Sequence, residues 1–235
     1  MKYLKILTFT LAVSLCCIQP VYSQSESQRN EFIKATKFDD ASTAKLLISQ
    51  GISPNLVDSH GNPMLVLAIK DRSYQVIDVL LVAKGMDVDL SNKQGETPLM
   101  LASINGDLPL VRTLVLKNKA QIDHISWTPL HYACAKGHLD IAQFLIANGA
   151  LVDSLSLGGT TPLMMAVQSG NELLVKFLLD KGANLQLRNT EGISAIDIAD
   201  IYGKPAISEG LRSRWLKLYK QPYLSMSKLM QPKTP

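Results

Sequence analysis

The sequence predicts an all-α fold, a solenoid of stacked helix-turn-helix units joined by β-hairpin-like loops. Three observations carry that expectation. Ala68, Ala102, Ala133, Ala166 and Ala199 recur at spacings of 34, 31, 33 and 33 residues, and a fixed period of this size marks a repeat architecture. Three of these alanines close the same pattern, Thr-Pro-Leu-x-x-Ala, at 97–102, 128–133 and 161–166. Glycines return in phase behind it, first at Gly106, Gly137 and Gly170, then at Gly85, Gly149 and Gly182.

Local chemistry accounts for each element. The hydroxyls of Thr97, Thr128 and Thr161 suit a helix N-cap, where they take an orphan backbone N–H. Pro98, Pro129 and Pro162 then fall at the first helical position, where a missing N–H costs nothing. Each first helix is short and ends at the inter-helix glycine. A second helix follows, with Leu139, Ile141, Ala142, Phe144, Leu145 and Ile146 in the middle repeat. It is apolar on more than one face, as a helix packed between neighbours must be. Gly85, Gly149 and Gly182 stop these helices in the left-handed conformation, and Asn118 takes that place in the second full repeat.

Two departures stand out. The 31-residue spacing implies that the loop before Trp127 is two residues shorter than its neighbours, and Ser126 stands where other loops carry Gly61, Gly95 and Gly192. That loop should be blunt. In the first full repeat Pro63-Met64 replaces Thr-Pro and Arg72 replaces the inter-helix glycine, so a less regular unit is expected there. A repeat cannot bury its own apolar face, so the array needs ends. Residues 30–57 read as a degenerate first repeat. Full repeats follow at about 58–90, 91–121, 122–154, 155–187 and 188–220, the last ending in a closing helix with Ile207, Leu211, Trp215 and Leu218 every three or four residues. Residues 221–235 read as a flexible basic tail.

Composition agrees with a packed domain at 24–220: 46% of residues are hydrophobic and 19% charged. Residues 1–23 have the features of an export signal. Lys2 and Lys5 precede a short apolar run from Ile6 to Ile18, Pro20 breaks it, and Val21-Tyr22-Ser23 offers a cleavage site. Cleavage leaves Cys134 alone, without an internal disulfide partner. It also lowers the formal charge from +4 to +2; setting aside the six cations of 211–235 leaves −4 on residues 24–210. The location expected is the periplasm, or the exterior of the cell.

This pattern resembles the ankyrin repeat over residues 30–210. Thr-Pro-Leu-x-x-Ala, Gly-His at 137–138 and Gly-Ala at 149–150 and 182–183 carry the resemblance. With the N-terminal signal, the chain also resembles exported ankyrin proteins of Gram-negative bacteria. The resemblance implies that His131 bonds to backbone and to the capping threonine, that His138 is structural, and that Cys134 is a small buried thiol.

Catalytic and metal motifs are missing. The sequence has no strand–Ser–helix elbow, no Gly-rich phosphate loop and no His-Glu-x-x-His. His60 and His124 lie two repeats apart, too far to share a metal. No enzyme, cofactor or metal site is expected. An acidic body with 6% aromatic residues also disfavours nucleic acid. Membrane contact is expected only through the cations of 211–235.

What remains is the surface. In ankyrin arrays the loop tips and the exposed side of each first helix line a concave groove. Carried over by position, the contact residues are Lys93, Glu96, Ile104, Asn105, Ile125, Trp127, Lys136, Thr160, Gln168, Glu191, Ile193 and Tyr202, with Leu157 and Ile201 beside them. Aromatic and aliphatic anchors within a polar rim suit protein recognition. The resemblance therefore implies a monomeric, non-catalytic scaffold for a protein partner, with Trp127 as its anchor. A host-directed effector and a membrane-docking structural protein are the alternatives.

Overall fold

A computed structural model describes residues 25–225. Residues 1–23, read as the export signal, and most of the expected tail lie outside that range. Among the described residues twelve α-helices form six helix-turn-helix pairs. They are α1 (Glu26–Lys37) with α2 (Ala41–Ser49), α3 (Met64–Asp71) with α4 (Tyr74–Leu81), and α5 (Pro98–Ile104) with α6 (Leu108–Arg112). Next come α7 (Pro129–Ala135) with α8 (Leu139–Ala147), α9 (Pro162–Ser169) with α10 (Glu172–Asp180), and α11 (Ala195–Ile201) with α12 (Pro205–Tyr219). First helices pack in the order α1, α3, α5, α7, α9, α11 to make one layer, and second helices stack behind them.

The phased alanines sit where consecutive first helices meet. All five are fully buried, and Ala35 of the first pair extends the series. Twelve residues after each, a leucine from the second helix closes the same layer: Leu80, Leu114, Leu145, Leu178 and Leu211 are all buried. Leu211 lies on α12, so the closing helix continues the core rather than merely covering it. Each such leucine contributes roughly 1.5–3 kcal/mol of burial.

Capping follows the sequence reading. The hydroxyls of Thr97, Thr128, Thr161 and Ser194 accept the amide three residues on, and that residue's side chain reaches back to the cap's own N–H. The glycines do two things at once. Gly106, Gly137 and Gly170 have φ of +76°, +75° and +82°, a region where a Cβ is strained. Each also receives a side chain from the next repeat: His138 lies against Gly106, Asn171 against Gly137 and Lys204 against Gly170. Arg72 adopts the left-handed conformation in place of a glycine, with φ +57°.

Two local expectations need correcting. Asn118 is not the left-handed stop of its helix, because its φ is −94°. Lys119 takes that conformation, with φ +61°. The cause is a π-helical turn at Thr113–Lys117 that continues α6 and inserts one residue, bonding the Asn118 amide to the Thr113 carbonyl at 3.2 Å. The boundary drawn at residue 221 also falls inside the packed array. Tyr223 is buried, with its ring against Trp215 and its hydroxyl bonded to Ser194 and Asp197. Arg188 adds a bond to the same hydroxyl at 3.0 Å.

Gly85 and Gly106 separate the two roles of these glycines. Both have positive φ, but a Cβ on Gly85 meets open space while one on Gly106 comes within 2.7 Å of the His138 ring. Urea unfolding should show Gly85→Ala costing about 1 kcal/mol of backbone strain. Gly106→Ala should cost at least about 1 kcal/mol more, through lost packing of His138.

Candidate functional site

His131 is wholly committed to the stack. It sits at the third position of α7 and is fully buried. Its Nδ1 accepts the Thr128 amide at 3.2 Å and lies 2.9 Å from the Thr128 hydroxyl. That leaves Nε2 as the N–H, which donates to the Thr160 carbonyl of the next repeat at 2.9 Å. His138 works in the opposite direction, donating from Nε2 to the Ile104 carbonyl of the preceding repeat at 3.1 Å. Burial pushes the Cys134 thiol well above its ordinary pKa, and it lies fully buried on α7, so it lacks the thiolate character of a reactive cysteine. Among the described residues no three His, Cys, Asp or Glu side chains are placed to share a metal ion.

Loop carboxylates and amides form a second ladder. Asn55 accepts the Asp87 amide, Asp89 that of Gln121, Asp123 that of Leu151 and Asp153 that of Asn184. Asp123 and Asp153 thus tie one loop to the next instead of only shaping their own turns.

The expected contact residues divide into free and engaged groups. Lys93, Asn105, Ile125, Trp127, Lys136, Glu191 and Tyr202 are exposed. Glu96 is engaged: it accepts from Asn92 at 2.8 Å and from the Tyr132 hydroxyl at 3.4 Å, and pairs with Lys70 at 3.8 Å. Thr160 is half-buried and lends its carbonyl to His131. Ile193 packs against the core, and Ile104 and Gln168 are half-buried. Trp127 is 39% exposed, its ring edge-on to His131 at 5.2 Å and to Tyr132 at 6.4 Å. Ile125 and Leu157 are bared further, at 89% and 84%. Among the expected contact positions and their neighbours, the barest apolar side chains thus stand on the third and fourth loops, with Ile201 and Tyr202 exposed at the last repeat.

Those loops differ in height. Four fingers close by the same pair of bonds: the amide of the first residue donates to the carbonyl four residues on, and the amide three residues on bonds back. They begin at Asp58, Asn92, Ser156 and Asn189. The third finger, residues 122–127, has neither bond. Nine residues separate Lys119 from Thr128, against twelve from Gly85 to Thr97, Gly149 to Thr161 and Gly182 to Ser194. The loop is therefore three residues short, not two, because the π-helical turn returns one to the helix. Ser126 takes the left-handed position, with φ +86°. Neighbouring fingers cover one another elsewhere: the Lys93 side chain lies on Gly61, and the backbone of Asn189 and Thr190 on Gly159. Over Gly95, beside the short finger, there is open space.

Two of the four described cations at the C-terminal end are paired at the surface. Arg212 pairs with Asp200, and Arg214 with Asp180 at 3.0 Å. No helix among the described residues is long and apolar enough to cross a membrane. Open clefts of about 530 and 610 Å³ lie between second helices, α4 with α6 and α10 with α12, away from Trp127.

The profile of the family described as ankyrin repeats, three copies, matches residues 32–126 and 116–189. The chain belongs to the ankyrin repeat family. The ankyrin repeat protein YahD of Escherichia coli K12 is 27% identical over 191 residues, covering 76% of this chain and 92% of its own length. A human relative, transient receptor potential cation channel subfamily A member 1, is 26% identical over 161 residues, 64% of this chain but only 14% of that protein. The chain thus spans a small part of several curated relatives it matches. A crystal structure of an ankyrin repeat domain from Acinetobacter baumannii AYE superposes with a TM-score of 0.64 at 26% identity, covering 77% of this chain and 95% of that one. Ankyrin arrays are in general protein-interaction scaffolds, and this array has the same stacked geometry.

Burial of His131 gives the ankyrin stack a defined pH dependence. Desolvation holds its pKa below the ordinary 6.5. Below that value the unfolded chain binds a proton that the folded one refuses, so stability is full above about pH 6.5 and falls on acidification, by at most about 1.4 kcal/mol per pH unit. The urea midpoint should drop between pH 7 and pH 5, and His131→Gln should flatten that slope while lowering stability at pH 7.

Proposed function

We propose that this ankyrin array is a non-catalytic scaffold that captures a protein partner, acting as an exported monomer in the cell envelope or outside the cell. The observation that carries the reading is the free apolar surface at the fingers. Ile125, Trp127 and Leu157 are exposed on a fold whose His131, His138, buried Cys134 and capping residues are spent on stacking. Exposed aromatic and aliphatic side chains ringed by polar groups mark recognition surfaces. Export rests on the basic and apolar N-terminal residues, Lys2, Lys5 and Ile6 to Ile18. Docking to an anionic membrane surface has less support, since Arg212 and Arg214 are already paired with acids.

Trp127→Ala is the direct test. Affinity capture with the mature chain as bait should identify a partner, and the variant should bind it at least about tenfold more weakly, as hot-spot truncations do. Circular dichroism should show the helices retained. Capture undiminished by the substitution, or loss of the fold itself, contradicts the assignment of Trp127 as an anchor.

A further inference from the structure

We propose that the shortened third finger is the partner-reading notch of the array, admitting an apolar side chain of a partner segment over Gly95 and against Trp127, with a carboxylate of that segment meeting Lys136. The proposal rests on the scaffold reading and locates its site.

Three features belong to that finger. The first is missing chain. Three fewer residues shorten a hairpin by roughly 5 Å, at about 3.3 Å per residue shared over two arms. The second is the uncovered glycine. Gly61 and Gly159 are each covered by the next finger, but Gly95 is covered by nothing within 4 Å. The third is the apolar surface of the finger itself, where Ile125 and Trp127 are exposed. The notch does not close over itself, because Ser126 is held from the far side, its hydroxyl accepting the Leu157 amide at 3.3 Å.

Charge selects the occupant. Of the acids near the notch, Glu96 is paired while Asp123 keeps its charge. Glu96 is held by Lys70, Asn92 and Tyr132, and Asp123 accepts the Leu151 amide. Lys93 and Lys136 are exposed and make no ion pair among the described residues. The two unpaired lysines outnumber the Asp123 carboxylate at the notch, and the complementary partner is an acidic segment. Lys136 ends the helix that begins just after Trp127, about 12 Å along its axis. An extended segment spans that distance in roughly four residues. The occupant is thus a protein segment with an aromatic or aliphatic residue and an Asp or Glu three to five positions away.

The test uses displayed random 12-residue peptides as the probe. They are selected on the mature chain and, in parallel, on a variant carrying the sequence of residues 152–159 in place of 122–126, which restores three residues to the finger. Circular dichroism checks that both are folded. Peptides enriched on the native array should carry the stated apolar–acidic spacing. They should bind the restored-finger variant at least tenfold more weakly, and Lys136→Glu should lose them while Lys136→Arg keeps them. Peptides that bind both arrays equally, or that lack acids, overturn the notch while leaving the scaffold reading standing. A failure to enrich any peptide on the native array overturns both.

Discussion

Consecutive first helices of this protein meet across an alanine at every step, and at three of the five steps a side chain of one repeat lies on a glycine of the last. The array depends on that approach. Ala68, Ala102, Ala133, Ala166 and Ala199 leave no exposed surface at all, and His138, Asn171 and Lys204 rest against Gly106, Gly137 and Gly170. A larger residue at either place would part neighbours along the whole interface, because interiors packed to this density do not absorb an extra methylene freely. The leucine layer from Leu80 to Leu211 then fills the space behind the alanines. Stability is accordingly a property of interfaces, distributed along the chain.

Polar groups take their places within that constraint. His131 is the case where a capping residue serves two repeats, holding Thr128 with one nitrogen and the Thr160 carbonyl with the other. Met100 and Met164 stand at the same position and can satisfy only their own cap. In the sixth pair Asp197 takes it, and is met by Tyr223 and Arg188. The C-terminal strap therefore supplies by side chain what the next repeat would supply by backbone. Function is left to positions without such duties, and three of them, Ile125, Trp127 and Lys136, belong to the repeat with the short finger.

Much of this was legible in the residues. The phased alanines, the Thr-Pro caps and the glycines fix a repeat because each answers a local requirement of φ, N–H satisfaction or close approach. The short loop was legible too, as a 31-residue spacing, but its true length was not. A spacing reports the net of an inserted π-helical residue and a loop three residues short, and only the backbone separates them. Asn118 misled for the same reason: one inserted residue moves the helix stop to Lys119, whose side chain gives no hint of a left-handed conformation. Tyr223 was hidden because its partners Arg188 and Asp197 lie 35 and 26 residues away, in a segment whose composition reads as solvent-exposed. Glu96 and Thr160 are polar residues at groove positions, and nothing in the sequence distinguishes a free one from one bonded to a neighbouring repeat.

The account's central claim is that repeats are held by one another and not from within. Hydrogen exchange on the folded protein, with and without His131→Ala, tests it directly. The account predicts that protection falls together in α7 and α9, on both sides of the bond from His131 to Thr160, while α3 keeps most of its own. Loss confined to α7, with α9 fully protected, would contradict it.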